Sequence, residues 1–225
     1  GTLKKLSKKH NVSILFVAEG ITARRKSGYA TIPQYDVDHD EMKKMKKEIV
    51  VRKSHAKKAL SILGIKKMRF LDLPNQELDQ IPLLKITKEI ESEIANTKAN
   101  VIFTHHFNDL NLDHRIVYEA TITASRPIPG STVTSIVSFE IPASTDWRKP
   151  YQFNPNLYID ISKELEYKVK ALEAYNYEIR KPPHPRSKAI TKAIANRWGS
   201  LSGYNAAEAF EIIMTRVNDI SKLSL

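Results

Sequence analysis

Short apolar runs of strand length alternate along this chain with amphipathic helical stretches, and that order admits few folds. Ser13–Ala18 (SILFVA), residues 68–73 (MRFLDL) and Val101–His105 (VIFTH) read as buried strands. Between the first two, the spacing of Met42, Met45, Ile49, Arg52, Ala56, Leu60 and Leu63, closed by Gly64, predicts a helix. Between the second and third, Pro82 starts a helix whose apolar stripe is Leu83, Ile86, Ile90 and Ile94. Strand, helix, strand in this rhythm means βαβ units, a mostly parallel sheet and helices on both of its faces. The remaining pattern predicts helices over residues 2–10, from near Asp113, over 162–178 and over 187–197. It predicts strands over 133–141 and 157–161, with a last apolar stretch over 209–214. The expectation is a single α/β domain spanning residues 1–225. In such sheets ligands sit beyond the carboxyl ends of the strands, which singles out the loops after Ala18, Leu73 and His105. Residues 20–40 read as one long polar loop, a length that in compact domains usually has a functional reason.

Composition narrows the classes. Of the 225 residues 41% are hydrophobic, enough to bury a core of this size. No stretch is long and apolar enough for a membrane span, and no leader pattern is present. Cysteine is absent, which excludes thiolate zinc sites, disulfides and a cysteine nucleophile and fits a cytoplasmic protein. The net charge of +11 invites a nucleic-acid reading. The lysines, however, fall in short groups (Lys4, Lys5, Lys8, Lys9; Lys43, Lys44, Lys46, Lys47) at spacings that suit the wet faces of amphipathic helices, with no nucleic-acid module beside them. The expected partner is therefore a small molecule rather than a nucleic acid, and homo-oligomer formation is left open.

The densest polar cluster is HHFNDLNLDH, residues 105–114, at the end of a strand and running into a helix. His105, His106, His114, Asp109 and Asp113 are the residue types that give a metal neutral imidazole and a carboxylate to orient it. The same residues also read as a polar loop in which Asp113 caps the helix and His114 packs locally. The spacing alone does not choose between the two.

A wider match does. FTHHFNDLNLDHRIVYEATITASRP (residues 103–127) resembles the second signature of the LmbE-like, or PIG-L, de-N-acetylase family. Upstream, KKALSILGIKKMRFLDLPNQELD (57–79) and GTLKKLSKKHNVSILFVAEGITARR (1–25) are similar to that family's preceding stretches. Downstream, His184-Pro185-Arg186-Ser187 and Ala207-Glu208-Ala209-Phe210 match weaker markers. The resemblance implies a Rossmann-like three-layer α/β fold and zinc-dependent removal of an N-acetyl group from an amino sugar or glycoconjugate precursor. It implies that His114 is a zinc ligand, that Asp113 and Asp109 organise the pocket wall, and that Arg52 contacts the sugar. At the position where the family often has a histidine stands Asn111, which donates a hydrogen bond to the tetrahedral intermediate but cannot shuttle a proton.

The family's first signature, an Ala-His-Pro-Asp-Asp-Glu run with two zinc ligands and the catalytic carboxylate, has no counterpart in this chain. Gly1 and Thr2 align just after it, so the expectation is a first strand and first metal segment missing from this sequence. The alternative is an inactive relative kept as a binding or scaffold protein. The acidic run 36–40 reads as a mobile loop and helix N-cap, not a substitute ligand source. In the implied mechanism zinc polarises the amide and acidifies its water, and a carboxylate takes the water proton. Arg24 and Arg25 are placed to hold an anionic part of a substrate or to be ordinary surface charges. Arg186 and Glu208 line the pocket or make structural pairs, and Trp147 and Tyr151 stack on a sugar or pack as a lid.

Overall fold

The computed structural model describes residues 1–218. Helix α1 (Thr2–Ser7) leads into strand β1 (Ser13–Ala18), helix α2 (His39–Leu63), strand β2 (Lys67–Leu73), helix α3 (Leu83–Thr97) and strand β3 (Val101–His105). Then come helix α4 (Leu112–Ala124), strands β4 (Ser135–Phe139) and β5 (Leu157–Asp160), helices α5 (Leu165–Glu173) and α6 (Lys188–Ser202), and strand β6 (Ala207–Thr215). The chain falls into two compact units. One comprises residues 1–78 and 158–208, the other 79–157 and 209 onward, so β5 and β6 each run through the division.

The helices begin where the side chains dictate. Asp38 caps α2 by accepting the Glu41 N–H at 2.7 Å, with Asp40 and Glu41 in the first turn favourably placed against the helix dipole. Gly64, at φ 81°, ends α2 in the left-handed conformation that an L side chain resists. Ser187 caps α6 by accepting from Ile190 N–H. The expected cap at Asp113 falls instead on Asn111. Its Oδ1 accepts from the N–H groups of Asp113 and His114, at 2.8 and 3.4 Å. An N-cap oxygen reaches the N–H groups two and three residues on, so the acceptor has to sit one residue before Leu112, and Asp113 is inside the helix.

Two sheets form. β1 and β2 pair in parallel, Phe16 stacking on Phe70 at 4.7 Å. The second sheet has the order β3-β4-β6-β5. β3 and β4 are parallel in unbroken register from Val101↔Ser135 to His105↔Phe139. The stretch over 209–214 lies within β6, which runs antiparallel to β4. The fold is thus mixed α/β with partly parallel sheets. The predicted strand over 133–141 is cut to Ser135–Phe139 because Pro142 follows and the Ile141 carbonyl turns to accept from Ser144 and Thr145 N–H. The predicted helix over 162–178 is confined to Leu165–Glu173, with a separate 3₁₀ turn over Asn176–Glu178. The helix predicted over 2–10 stops at Ser7.

In the first unit α2 and α5 bury Ala59, Leu60, Leu63, Ala171 and Ala174 against Phe16, Met68 and Ile14 from the sheet. A satellite core joins Ile161, Ala195 and Ala206. In the second, Ile136, Val137, Val117, Ala120 and Phe210 are buried, and Thr104 of β3 contacts Thr121 of α4 at 3.2 Å.

Candidate functional site

In the second unit, the chain leaving β3 turns back through residues 106–111 into α4. That brings His105, Asp109, Asn111, Asp113 and His114 to the carboxyl end of the strand. Asp109 is the centre, with 0% of its surface exposed. Its Oδ1 accepts from the Asn111 N–H at 2.8 Å and the Ser144 hydroxyl, and lies 3.0 Å from His114 Nδ1. Its Oδ2 accepts from the Thr145 hydroxyl at 2.7 Å. Burial alone pushes the Asp109 pKa up, but the hydrogen bonds from His114, Ser144 and Thr145 outweigh it and hold the carboxyl at about 2.

An ionised Asp109 can only accept, so the hydrogen-bond geometry assigns the proton of His114 to Nδ1 and leaves Nε2 with its lone pair. This is the arrangement that orients an imidazole for a metal or a proton. The His105 ring stacks on His114 at 4.3 Å and 14°. Burial, with His114 beside it, holds the His105 pKa down at about 3 against the opposing pull of Asp109, so this ring is a neutral wall at pH 7. Asp113 is buried at the start of α4. Because the cap fixes the Asn111 oxygen toward the helix, its NH₂ is the end not used by the backbone.

Three participants escaped the sequence reading. Ser144 and Thr145 follow β4, and the carboxyl-end rule, applied to that strand as well, points to their loop. Glu211 on β6 lies 3.2 Å from Nε2 of His106, which is fully buried and accepts the Asn108 N–H at Nδ1. His106 is therefore an internal post, held between the loop and the sheet. Trp147 and Tyr151 are both substantially exposed on the loop between β4 and β5.

The predicted arginines gather elsewhere, in the first unit. Arg24 and Arg52 each donate to Glu178 Oε1 at 2.5 Å, and Arg186 donates to Oε2 at 2.7 Å. Glu178, which sequence reasoning missed, is buried. Burial raises its pKa, yet Arg52, Arg24 and Arg186 together hold the carboxyl below its ordinary value. Gly20, at φ 79°, is required there because a Cβ would stand 2.5 Å from Arg52 Nε. Arg25 pairs with Glu77. Glu208 is structural: it accepts from the Thr2 N–H at 2.6 Å and pairs with Lys168 at 2.7 Å.

As a metal centre the described residues are incomplete. They contain no group of three or more His, Cys, Asp or Glu side chains placed to hold an ion. No helix among them is long and apolar enough to cross a membrane.

Residues 1–125 match the profile of the GlcNAc-PI de-N-acetylase family, PIG-L. The fold as a whole is similar to that of an N,N'-diacetylchitobiose deacetylase from Pyrococcus horikoshii, solved with an inhibitor. That match has a TM-score of 0.71 and 17% identity, covering 95% of this chain and 77% of that one. It is also similar to a zinc-inhibited form of a teicoplanin deacetylase, with a TM-score of 0.67 and 11% identity over 97% of this chain and 93% of that one. A third similar structure, the 4-carboxy-2-hydroxymuconate hydratase of Pseudomonas putida KT2440, has a TM-score of 0.61 and 15% identity over 92% of this chain and 99% of that one. Since a hydratase shares this architecture, the fold by itself does not select the reaction.

Proposed function

The chain belongs to the GlcNAc-PI de-N-acetylase family, and from that membership we propose that it hydrolyses the N-acetyl group of an N-acetylated amino sugar or glycoconjugate precursor. Water adds to the amide carbonyl, the C–N bond breaks, and acetate and the free amine leave. The observation that carries this reading is the Asp109–His114 pair: a carboxylate saturated by protein donors fixes one imidazole tautomer beside Asn111, which stands where the family often has a histidine. In this assignment Asp109 acts through His114, and Asn111 offers its NH₂ to the oxyanion. Asp113 shapes the wall.

The zinc belonging to this reading has one ligand here, His114. Because the described residues do not complete the site, none of these roles is routed through the metal. The experiment is acetate release from N-acetylglucosamine and a simple N-acetylglucosaminide, with zinc content determined in parallel, on the intact protein and its His114→Ala variant. Acetate release that disappears in the variant together with retained zinc is the expected result. Zinc held equally by both proteins with no acetate from either would remove the deacetylase assignment and leave a binding or scaffold relative.

A further inference from the structure

Glu211 is a buried carboxylate of the second unit for which the proposed chemistry has no use. The antiparallel pairing of β6 with β4 sets it opposite Ser138, whose fully buried hydroxyl donates to Glu211 Oε2 at 3.4 Å. Oε1 accepts the Asn154 N–H, and Oε2 also lies 3.2 Å from His106 Nε2. A buried carboxylate needs donors, and Glu211 draws them from three segments: β4, the chain before β5 and the loop after β3.

His106 carries the tie into the site. Its Nδ1 accepts the Asn108 N–H at 3.2 Å, which puts the ring proton on Nε2, the nitrogen beside Glu211. The approach is too oblique for a regular hydrogen bond, so attraction in a low-dielectric interior holds the contact, and it weakens as the loop drifts from β6. The ring has no exposed surface and sits 4.5 Å from Phe107 and 5.4 Å from Phe153, which stands edge-on to it. Between His106 and Asp109, Asn108 donates to the Pro150 carbonyl at 3.0 Å and accepts from Arg148 Nε at 3.3 Å. The loop over 106–111 and the chain over 141–154 are thus joined at Asp109 through Ser144 and Thr145, and again at Glu211 through His106 and Asn154.

From this double tie we infer that Glu211, acting through His106, is a positioning residue for the Asp109–His114 pair. The spacing of the two loops decides whether Asp109 meets the Ser144 and Thr145 hydroxyls while its Oδ1 stays 3.0 Å from His114 Nδ1. With the Glu211 tie cut, Asp109 withdraws from the imidazole, whose proton is no longer held at Nδ1. The effect on turnover rests on the deacetylase reading; the effect on His114 rests on the geometry of the second unit alone.

The test is imidazole NMR of the intact protein with nitrogen-labelled histidine in the presence of a chelator, the His114 signal being assigned by its loss in His114→Ala. Wild type is compared with Glu211→Gln, His106→Asn and His106→Gln, each checked for folding by thermal melting. Glu211→Gln keeps the volume but has an oxygen at one end only, so one of the two loops loses its acceptor. His106→Asn keeps an acceptor near the Asn108 N–H without a donor that reaches Glu211, whereas His106→Gln restores such a donor. The His114 Nδ1–H signal is expected in wild type, lost to exchange in Glu211→Gln and His106→Asn, and recovered in His106→Gln. With zinc restored, kcat for acetate release should fall about 10–100-fold in the first two variants with KM little changed. An unchanged His114 signal in folded Glu211→Gln or His106→Asn would overturn the inference, as would a loss in His106→Gln as complete as in His106→Asn, which would mark His106 as packing alone. No acetate from wild type would sink the deacetylase reading and leave the NMR comparison to decide this one.

Discussion

Asn111 uses the two ends of one amide differently, and two substitutions separate them. Asn111→Ala removes the oxygen that receives Asp113 and His114 N–H, which costs about 1 kcal/mol of stability. It also loosens the first turn of α4, from which His114 projects. Asn111→Asp keeps the capping oxygen but loses the NH₂ donor. Denaturant melts are expected to show the alanine variant destabilised and the aspartate variant close to wild type, while both lose deacetylation under the proposed assignment. Equal stability of all three proteins would mean that the cap contributes nothing. The HHFNDLNLDH run made the cluster legible as chemistry, because histidines and acids at a strand end stand out in one dimension. What it could not reveal was the partner set of Asp109: Ser144 and Thr145 lie thirty-odd positions downstream and are among the commonest residue types in any loop. Their role is created by the parallel pairing of β3 with β4, which sets the two loops side by side.

Among the elements, the Glu178 cluster ties the 3₁₀ turn over Asn176–Glu178 to the turn after β1, to α2 and to the segment before α6. Its folded pKa is depressed below the ordinary 4.5. The stabilisation is therefore fully present above that value and is lost as pH falls below it. Glu178→Gln leaves three guanidinium groups without their shared charge, at a cost of about 3 kcal/mol at pH 7, the low end for a broken buried pair because Arg186 and Arg52 are partly hydrated. Unfolding measured from pH 7 down to pH 3 should show the wild type losing stability on the acid side, and the variant starting lower and changing less there. A variant with the wild-type slope would assign the acid sensitivity to other carboxylates. A second element-level test concerns the return from α6 into β6. A Cβ on Gly199 would stand 2.5 Å from the Tyr204 carbonyl oxygen and 2.8 Å from Ala206 N. Both are backbone atoms that cannot swing aside, so Gly199→Ala is expected to destabilise by about 1–3 kcal/mol, read as a lowered melting temperature. Sequence periodicity found α2, α3 and α6 because one face of each is apolar. It overran α5, since residues 174–178 continue the helical spacing while the backbone there tightens into the turn that presents Glu178.

At the scale of the whole molecule, family resemblance and fold have different extents. The family profile stops at residue 125, yet structural likeness to the Pyrococcus deacetylase covers 95% of the chain. The likeness of fold therefore extends past the residues the profile matches, and packing shows what those later residues supply. β3 takes its parallel neighbour from β4, Asp109 its hydroxyl donors from Ser144 and Thr145, and Arg24 and Arg52 a shared counter-charge from Glu178. The apolar face of α2 is closed by Ala171 and Ala174 around α5. A fragment of residues 1–125 would expose these faces and leave Asp109 and the two arginines short of partners, while retaining the whole recognised signature. It is expected to show no cooperative thermal transition by circular dichroism, whereas the chain through residue 218 melts in at least one sharp step. A cooperative melt of the fragment would mean that the profile marks an autonomous folding unit and that the later strands are additions to it. Loss of the melt would mean that the signature residues owe their geometry to the part of the chain that lies beyond the profile match.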